Sequence, residues 1–255
     1  MTDNPPRIVT GGGVAGRRAV VTGGANGIGA AVAHLLTARG AAVVILDVET
    51  VSNHQGAIHV DLASADAVVA AAAAARDQLG GVDILVNCAG VAYVADVRQL
   101  DLERYHHTLA VNLHAPVLLM RELSPGMVAA GYGRIVNVSS IHSHLSEPGC
   151  LTYDASKGAL EAATRAIAID LARTGVLANA VAPGFVATRM SFVDGVDELD
   201  SDWFRTVYVA NGQLPLGRAA EPHEIAEAVL WLASAENTYM TGQVLTVDGG
   251  VSARL

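Results

Sequence analysis

Lysine is almost missing from this chain. Of its 16 lysine and arginine residues only Lys157 is a lysine, so every other positive charge is carried by a guanidinium. A single retained ammonium marks a place that needs a compact point charge rather than a planar fork. Cysteine is scarce too: Cys88 and Cys150 are too few for a disulfide framework and fit a reducing compartment. Cys150 stands three residues before Tyr153, but no histidine and asparagine partners for a nucleophilic thiol are legible. Charged residues make up 16% of the chain against 51% hydrophobic, yet no unbroken apolar run approaches the ~20 residues of a membrane span. A formal net charge of -9 and a pI near 5.4 argue against nucleic acid or an anionic lipid surface as the main partner. The opening MTDNPPRIVTGGGVAG lacks the charged-then-apolar pattern of a secretion signal. It reads as a flexible tail over residues 1–15, and a cytoplasmic location is the expectation.

What is present is a regular alternation. RRAVVT (17–22), AAVVILDV (41–48), AIHVDL (57–62) and VDILVNCAG (82–90) read as strands. Between them lie the helical run closed by Gly40 and the alanine-rich run that starts at Ser64 and ends at Gly80. Residues 99–130 are mostly helical, with Pro116 and Pro125 expected to bend or divide the run. GRIVNVSS, the helix around YDASKGALEAATRAIAIDLART, GVLANAVAP, a helix led by Glu221 and Pro222, and GQVLTVDGG complete the pattern. Strands separated by helices of this length imply a parallel, doubly wound α/β sheet in one domain over 16–255, because parallel neighbours need crossovers. No repeat, coiled coil or low-complexity linker interrupts it.

Two glycine clusters compete for a phosphate-binding role. Residues 11–16 satisfy G-x-G-x-x-G, but a strand follows them and no helix does. The cluster TGGANGIG (22–29) sits between a strand and a helix, where free helix N–H groups and close backbone approach suit a pyrophosphate. Asp47 ends the second strand 18 residues after Gly29, near the offset of a carboxylate that accepts from the adenosine ribose hydroxyls. This predicts NAD. A carboxylate there repels the 2'-phosphate of NADP, and no cation occupies the turn from Gly23 to Gly29.

Taken together, these residues resemble the short-chain dehydrogenase/reductase family from about residue 17 to 250. TGGANGIG matches T-G-x-x-x-G-x-G, NCAG (87–90) resembles N-N-A-G with Cys88 in place of the second Asn, and YDASK supplies Y-x-x-x-K. Ser140 lies 13 residues before Tyr153, Asn112 stands where a helix-borne asparagine is expected, and PGFVAT (183–188) resembles P-G-x-x-x-T. The resemblance implies a Rossmann-type fold, a nicotinamide cofactor, and Asn112, Ser140, Tyr153 and Lys157 as the catalytic set. It assigns the cofactor to Gly23, Asn26, Gly27, Ile28, Gly29 and Asp47, with the adenine at Asp61 and Leu62. The central part falls to Asn87, Ala89 and Gly90, and the nicotinamide to Pro183, Gly184, Val186 and Thr188, beside Tyr153 and Lys157. It also implies a homotetramer.

Oxidising a secondary alcohol requires a group that takes the hydroxyl proton while hydride leaves the same carbon. A free phenol titrates near ~10, so Tyr153 working around neutrality needs a shift of two or three units. Lys157, one turn along the same helix face, is expected to supply it, since a cation at ~4 Å is worth about 4 kcal/mol at an effective dielectric of 20. Ser140 is expected to bond the substrate oxygen, and Asn112 to hold a water linking Lys157 to solvent.

His142, His144, Cys150, Phe185 and Trp203 are the candidate substrate contacts. No third ligand is legible beside the two histidines, so no metal is expected. Residues 189–214 break the repeating pattern and read as a mobile lid. Met190, Phe192, Trp203 and Phe204 are candidates for its inner wall, and Asp194, Asp197, Glu198, Asp200 and Asp202 are expected to face solvent. The favoured function is an NAD-dependent dehydrogenase of a small neutral polyol, sugar or cyclic alcohol. A 3-oxoacyl-carrier-protein reductase and a non-catalytic dinucleotide sensor are the alternatives.

Overall fold

The computed structural model describes residues 13–49, 56–193 and 195–253. Seven parallel strands form one sheet in the order β3-β2-β1-β4-β5-β6-β9: β1 (Arg18–Thr22), β2 (Ala42–Asp47), β3 (Ala57–His59), β4 (Ile84–Asn87), β5 (Gly133–Val138), β6 (Val176–Pro183) and β9 (Val244–Val247). A two-stranded hairpin, β7 (Phe192–Val193) with β8 (Val196–Asp197), lies within the segment expected as a lid. The helices are α1 (Gly27–Ala38), α2 (Ala65–Leu79), α3 (Leu102–Leu109), α4 (Ala115–Ala130), α5 (Leu151–Asp170), the single turn α6 (Asp202–Phe204) and α7 (Pro222–Ala233).

The strand side chains alternate between two cores. Val20, Val44, Leu46 and Leu85 face α2 and α4, while Ala19, Val21, Ile45 and Val86 face α1 and α7. A sheet covered on both faces needs apolar residues at nearly every strand position, which is why β1, β2 and β4 read as continuous apolar runs. The order reverses between β1 and β4, so the connections leaving these strands diverge and leave a crevice at their C-terminal ends.

Local signals account for most boundaries. Ser64 accepts from the Ala67 N–H at the start of α2, Gly80 closes that helix in the left-handed region, and a Glu221–Glu224 capping box opens α7. Three expectations need correction. Residues 1–12 of the expected tail lie outside the described residues, but residues 13–15 are no tail: Val14 is 1% exposed and the Gly13 carbonyl accepts from Ala235. Burial of one valine against α1 and α7 anchors this end. Helix α5 begins at Leu151, before Tyr153. Neither proline breaks its helix; instead the run divides at a π turn, Ala110–His114, directly before Pro116. Pro116 has no N–H for the Asn112 carbonyl and its ring crowds that oxygen, so a wider turn relieves the clash.

Candidate active site

The crevice beyond β1 and β4 is a cleft of about 1170 Å³, lined by Gly23, Asn26, Gly27, Ile28, Gly29, Asp47, Asp61, Leu62, Ala89, Gly90 and Thr188. Its floor has no room for side chains. Gly23 has φ +69° and a Cβ there would lie 2.8 Å from Ala89 Cα; one at Gly29 would lie 2.1 Å from the Gly23 carbonyl oxygen. The Asn26 side chain does not cap α1, which leaves the helix N-terminus facing the cleft, as an anionic pyrophosphate requires. Thr22 ties the two sides together, because its Oγ1 accepts from the Cys88 and Ala89 N–H groups at 3.0 Å each. These residues fit a dinucleotide. The Asp47 carboxylate is fixed in the cleft by the Ala25 and Glu49 N–H groups, each at 2.9 Å.

Six expected cofactor residues are not in this lining: Tyr153 and Lys157, described below, and Asn87, Pro183, Gly184 and Val186. Asn87, at the end of β4 between Thr22 and Asn137, is 2% exposed and donates to Asn137 Oδ1 at 2.8 Å. Its own Oδ1 has no partner among the described residues. A side chain inside the sheet layer is hidden behind the crevice. Pro183 is buried in β6, Gly184 is pressed against Asp248, and Val186 bridges to Ala220 and packs on the core. Arg189 and Glu49 are among the cleft residues that escaped the sequence reading: Arg189 meets Glu49 Oε2 at 2.8 Å, and Asn26 Nδ2 donates to the same oxygen at 2.9 Å. The Gly23–Gly29 turn carries no cation, but a guanidinium reaches the cleft from the far half of the chain. Only Glu49, two residues past Asp47, left a local hint.

Tyr153 lies on the first turn of α5 and Lys157 one turn later. Lys157 is 3% exposed, its Nζ donates to the Val138 carbonyl at 2.8 Å and stands 5.6 Å from the Tyr153 ring centre. A Cβ on Gly90 would lie 3.5 Å from both Lys157 Nζ and Asn112 Oδ1, so the three meet at the inner end of the cleft. Ser140 follows β5, and its Oγ accepts from the His142 N–H at 3.2 Å. Burial pushes the Tyr153 phenol up to about 12, opposed chiefly by the hydrogen bond from Ser140. Burial also pushes Lys157 down to about 8. The ammonium donates to the Val138 carbonyl while standing beside the Tyr153 ring, and the Ser140 hydroxyl donates to the phenol oxygen. Asn112 reaches the same end of the cleft. Its Oδ1 accepts from Val91 N–H at 2.9 Å, while its Nδ2 donates to the Val91 carbonyl at 2.9 Å and Ser156 Oγ at 3.0 Å. The side chain therefore clamps the loop after β4 to α5.

At the far end, His142 Nδ1 is 2.7 Å from Asp154 Oδ1, and its ring stands edge-on to Tyr153 with centres 5.7 Å apart. His144 turns to Ser143 Oγ at 3.0 Å and does not pair with His142. Cys150 is the N-cap residue of α5. Phe185 packs on Phe204 and Tyr208, with centres 5.0 and 4.4 Å apart, and Tyr208 bonds to Glu147. Trp203 leans on Tyr208 but is 46% exposed, while Met190 and Phe192 reach the rim of the cleft. Of the lid carboxylates, Asp200 and Asp202 face solvent, Asp197 accepts from Ser191 Oγ at 2.7 Å, and Asp194 lies outside the described residues. Glu198 overturns the expectation, for it is half-buried, and burial together with neighbouring Glu147 and Asp197 raises its pKa.

Residues 23–252 match the family model described as enoyl-(acyl carrier protein) reductase. The chain is 38% identical to the galactitol 2-dehydrogenase (L-tagatose-forming) of Cereibacter sphaeroides, covering 92% of this chain and 94% of that one. It is 32% identical to the gluconate 5-dehydrogenase of Gluconobacter oxydans, covering 95% and 97% respectively. A solved structure from Beutenbergia cavernae, assigned as an NAD(P)-dependent gluconate 5-dehydrogenase with NADP bound at low occupancy, superposes with a TM-score of 0.87. It is 35% identical and the match covers 96% of this chain and all of that one.

Proposed function

This chain belongs to the short-chain dehydrogenase/reductase family of oxidoreductases, and on that premise we propose that it interconverts a small neutral secondary alcohol and its ketone with NAD. The observation that carries the cofactor preference is the pair of carboxylates at the end of β2. Asp47 is locked by two backbone N–H groups, and Glu49 already neutralises Arg189. A 2'-phosphate entering there meets two anions and a guanidinium that is already paired. The galactitol enzyme among the relatives favours a polyol or sugar substrate.

When bound, the nicotinamide supplies the hydride acceptor or donor. Tyr153 exchanges the hydroxyl proton through its phenol oxygen. Ser140, whose oxygen is held by the His142 amide, donates to the Tyr153 phenol and turns that proton to the substrate oxygen when substrate enters. Lys157 places a positive charge beneath the site, and Asn112 holds the cleft loop to the helix that carries both. Exclusion of water by the Phe185–Phe204–Tyr208 cluster strengthens each of these interactions.

The test is absorbance at the reduced-cofactor band with NAD and NADP across sugars, polyols, cyclic alcohols and oxoacyl thioesters. Turnover of a neutral alcohol, with NAD preferred at least tenfold in kcat/KM, is the expected result. Thioester reduction with NADP would mean a carrier-protein reductase. Tight NAD binding with no turnover of any compound would mean a sensor.

A further inference from the structure

Where the segment after β5 meets the first turn of α5, three kinds of donor face one another. A ring nitrogen of His142, Cys150 Sγ and an Asp154 carboxylate oxygen all lie within 4.8 Å of one another, and all three residues are half-buried. Cys150 and Asp154 are four residues apart, so they share one face of the first turn of α5; His142 approaches from the short turn at 141–143. Imidazole nitrogen, thiol sulfur and carboxylate oxygen together suit a borderline-soft dication. Three protein donors with a fourth position open is an arrangement zinc accepts.

We propose that His142, Cys150 and Asp154 form a zinc-binding site at the substrate end of the cleft, and that zinc bound there stops turnover. The surrounding charge favours a dication. Glu147 and Glu198 add negative charge around Cys150, and among the described residues no arginine or lysine pairs with Glu147, Asp154 or Glu198. Zinc bonds of about 2.0–2.3 Å set neighbouring ligands roughly 3.3–3.8 Å apart. The widest separation therefore closes by about 1 Å, and the 2.7 Å contact between His142 and Asp154 opens. On binding, the thiol proton leaves to solvent and the imidazole ligates as the neutral ring, with its proton on the nitrogen that does not ligate. Because the His142 ring already lies against the Tyr153 ring, the cation occupies space that a substrate needs.

Cobalt(II) reports the sulfur ligand directly. The full chain, freed of metal by dialysis against a chelator, should bind one equivalent of cobalt and develop a thiolate-to-cobalt charge-transfer band that Cys150→Ser lacks. Zinc affinity, read by competition with a chromogenic chelator, should fall at least tenfold in Cys150→Ser and in Asp154→Asn, each checked for folding by circular dichroism. No band in the native chain, or equal zinc affinity in native and Cys150→Ser proteins, overturns the site. Turnover should fall by half at the zinc concentration that half-fills the site and return with chelator; unchanged turnover at full occupancy overturns the inhibition. That arm rests on the oxidoreductase reading and the cobalt spectrum does not, so a chain that binds cobalt but oxidises nothing refutes the reading and spares the site.

Discussion

The solitary lysine is the residue on which most turns. Buried with one carbonyl for company, Lys157 holds its proton less tightly in the folded chain, at about 8 against an ordinary 10.5. A depressed lysine costs stability below pH 8, and the cost fades as pH rises to 10.5, where the unfolded chain also loses the proton. Lys157→Met should therefore be more stable than the native chain at pH 7 by on the order of 1–3 kcal/mol, allowing for the orphaned Val138 carbonyl. In denaturant melts this advantage should shrink steadily towards pH 10.5. Lys157→Arg keeps the charge but should lose most of the activity, because a guanidinium is too large and diffuse for this position; near-normal turnover would remove the lysine from the mechanism. Tyr153 makes the opposite statement. Alcohol oxidation needs the phenolate, and burial holds the phenol up at about 12 in the cofactor-free chain. With NAD saturating, kcat/KM for oxidation should rise about tenfold per unit into the alkaline range, while ketone reduction, which needs the protonated phenol, should not. A profile flat from pH 7 to 10 would point to a different proton acceptor.

At the scale of elements, two short segments decide whether the chemistry assembles. The turn into α1 works only because Gly29 carries no side chain: Gly29→Ala would drive a Cβ to 2.1 Å from the Gly23 carbonyl. That variant should lose at least tenfold in dinucleotide affinity by fluorescence titration, with a smaller loss of thermal stability. The π turn before α4 is the second. Sequence reading saw Pro116 and expected a bend, but only the folded chain shows that the wider turn sits at Asn112 and aims its amide at Val91 and Ser156. Cys150 and Asp154 stand four residues apart, a spacing the sequence reading passed over. That His142 completes a trio with them was not legible, because a loop of unpredictable path separates them.

For the whole molecule, the site is a product of strand order. Glycines from the first connection, Asp47 from the second strand, Gly90 from the fourth, Ser140 from the fifth and Thr188 from beyond the sixth converge because all parallel strands present their C-terminal ends on one side. Assembly belongs to this scale too. The alanine-rich α5 leaves Leu151 and Ile169 exposed at 44% and 75%, and we propose that such faces pair in a homotetramer. Native mass spectrometry should find four chains; a monomer at micromolar concentration would end that proposal. Sequence by itself determined the alternating elements and the glycine cradle, because periodicity and turn chemistry are local properties of a chain, while the four candidate catalytic residues came from the resemblance to the family. Only the tertiary structure decided that Arg189 faces Glu49 across 140 positions, that Asn87 is hidden behind the cleft, and that Lys157 donates to the Val138 carbonyl. Distances, burial and field at a site depend on which distant segments the sheet brings together, and no local pattern carries them.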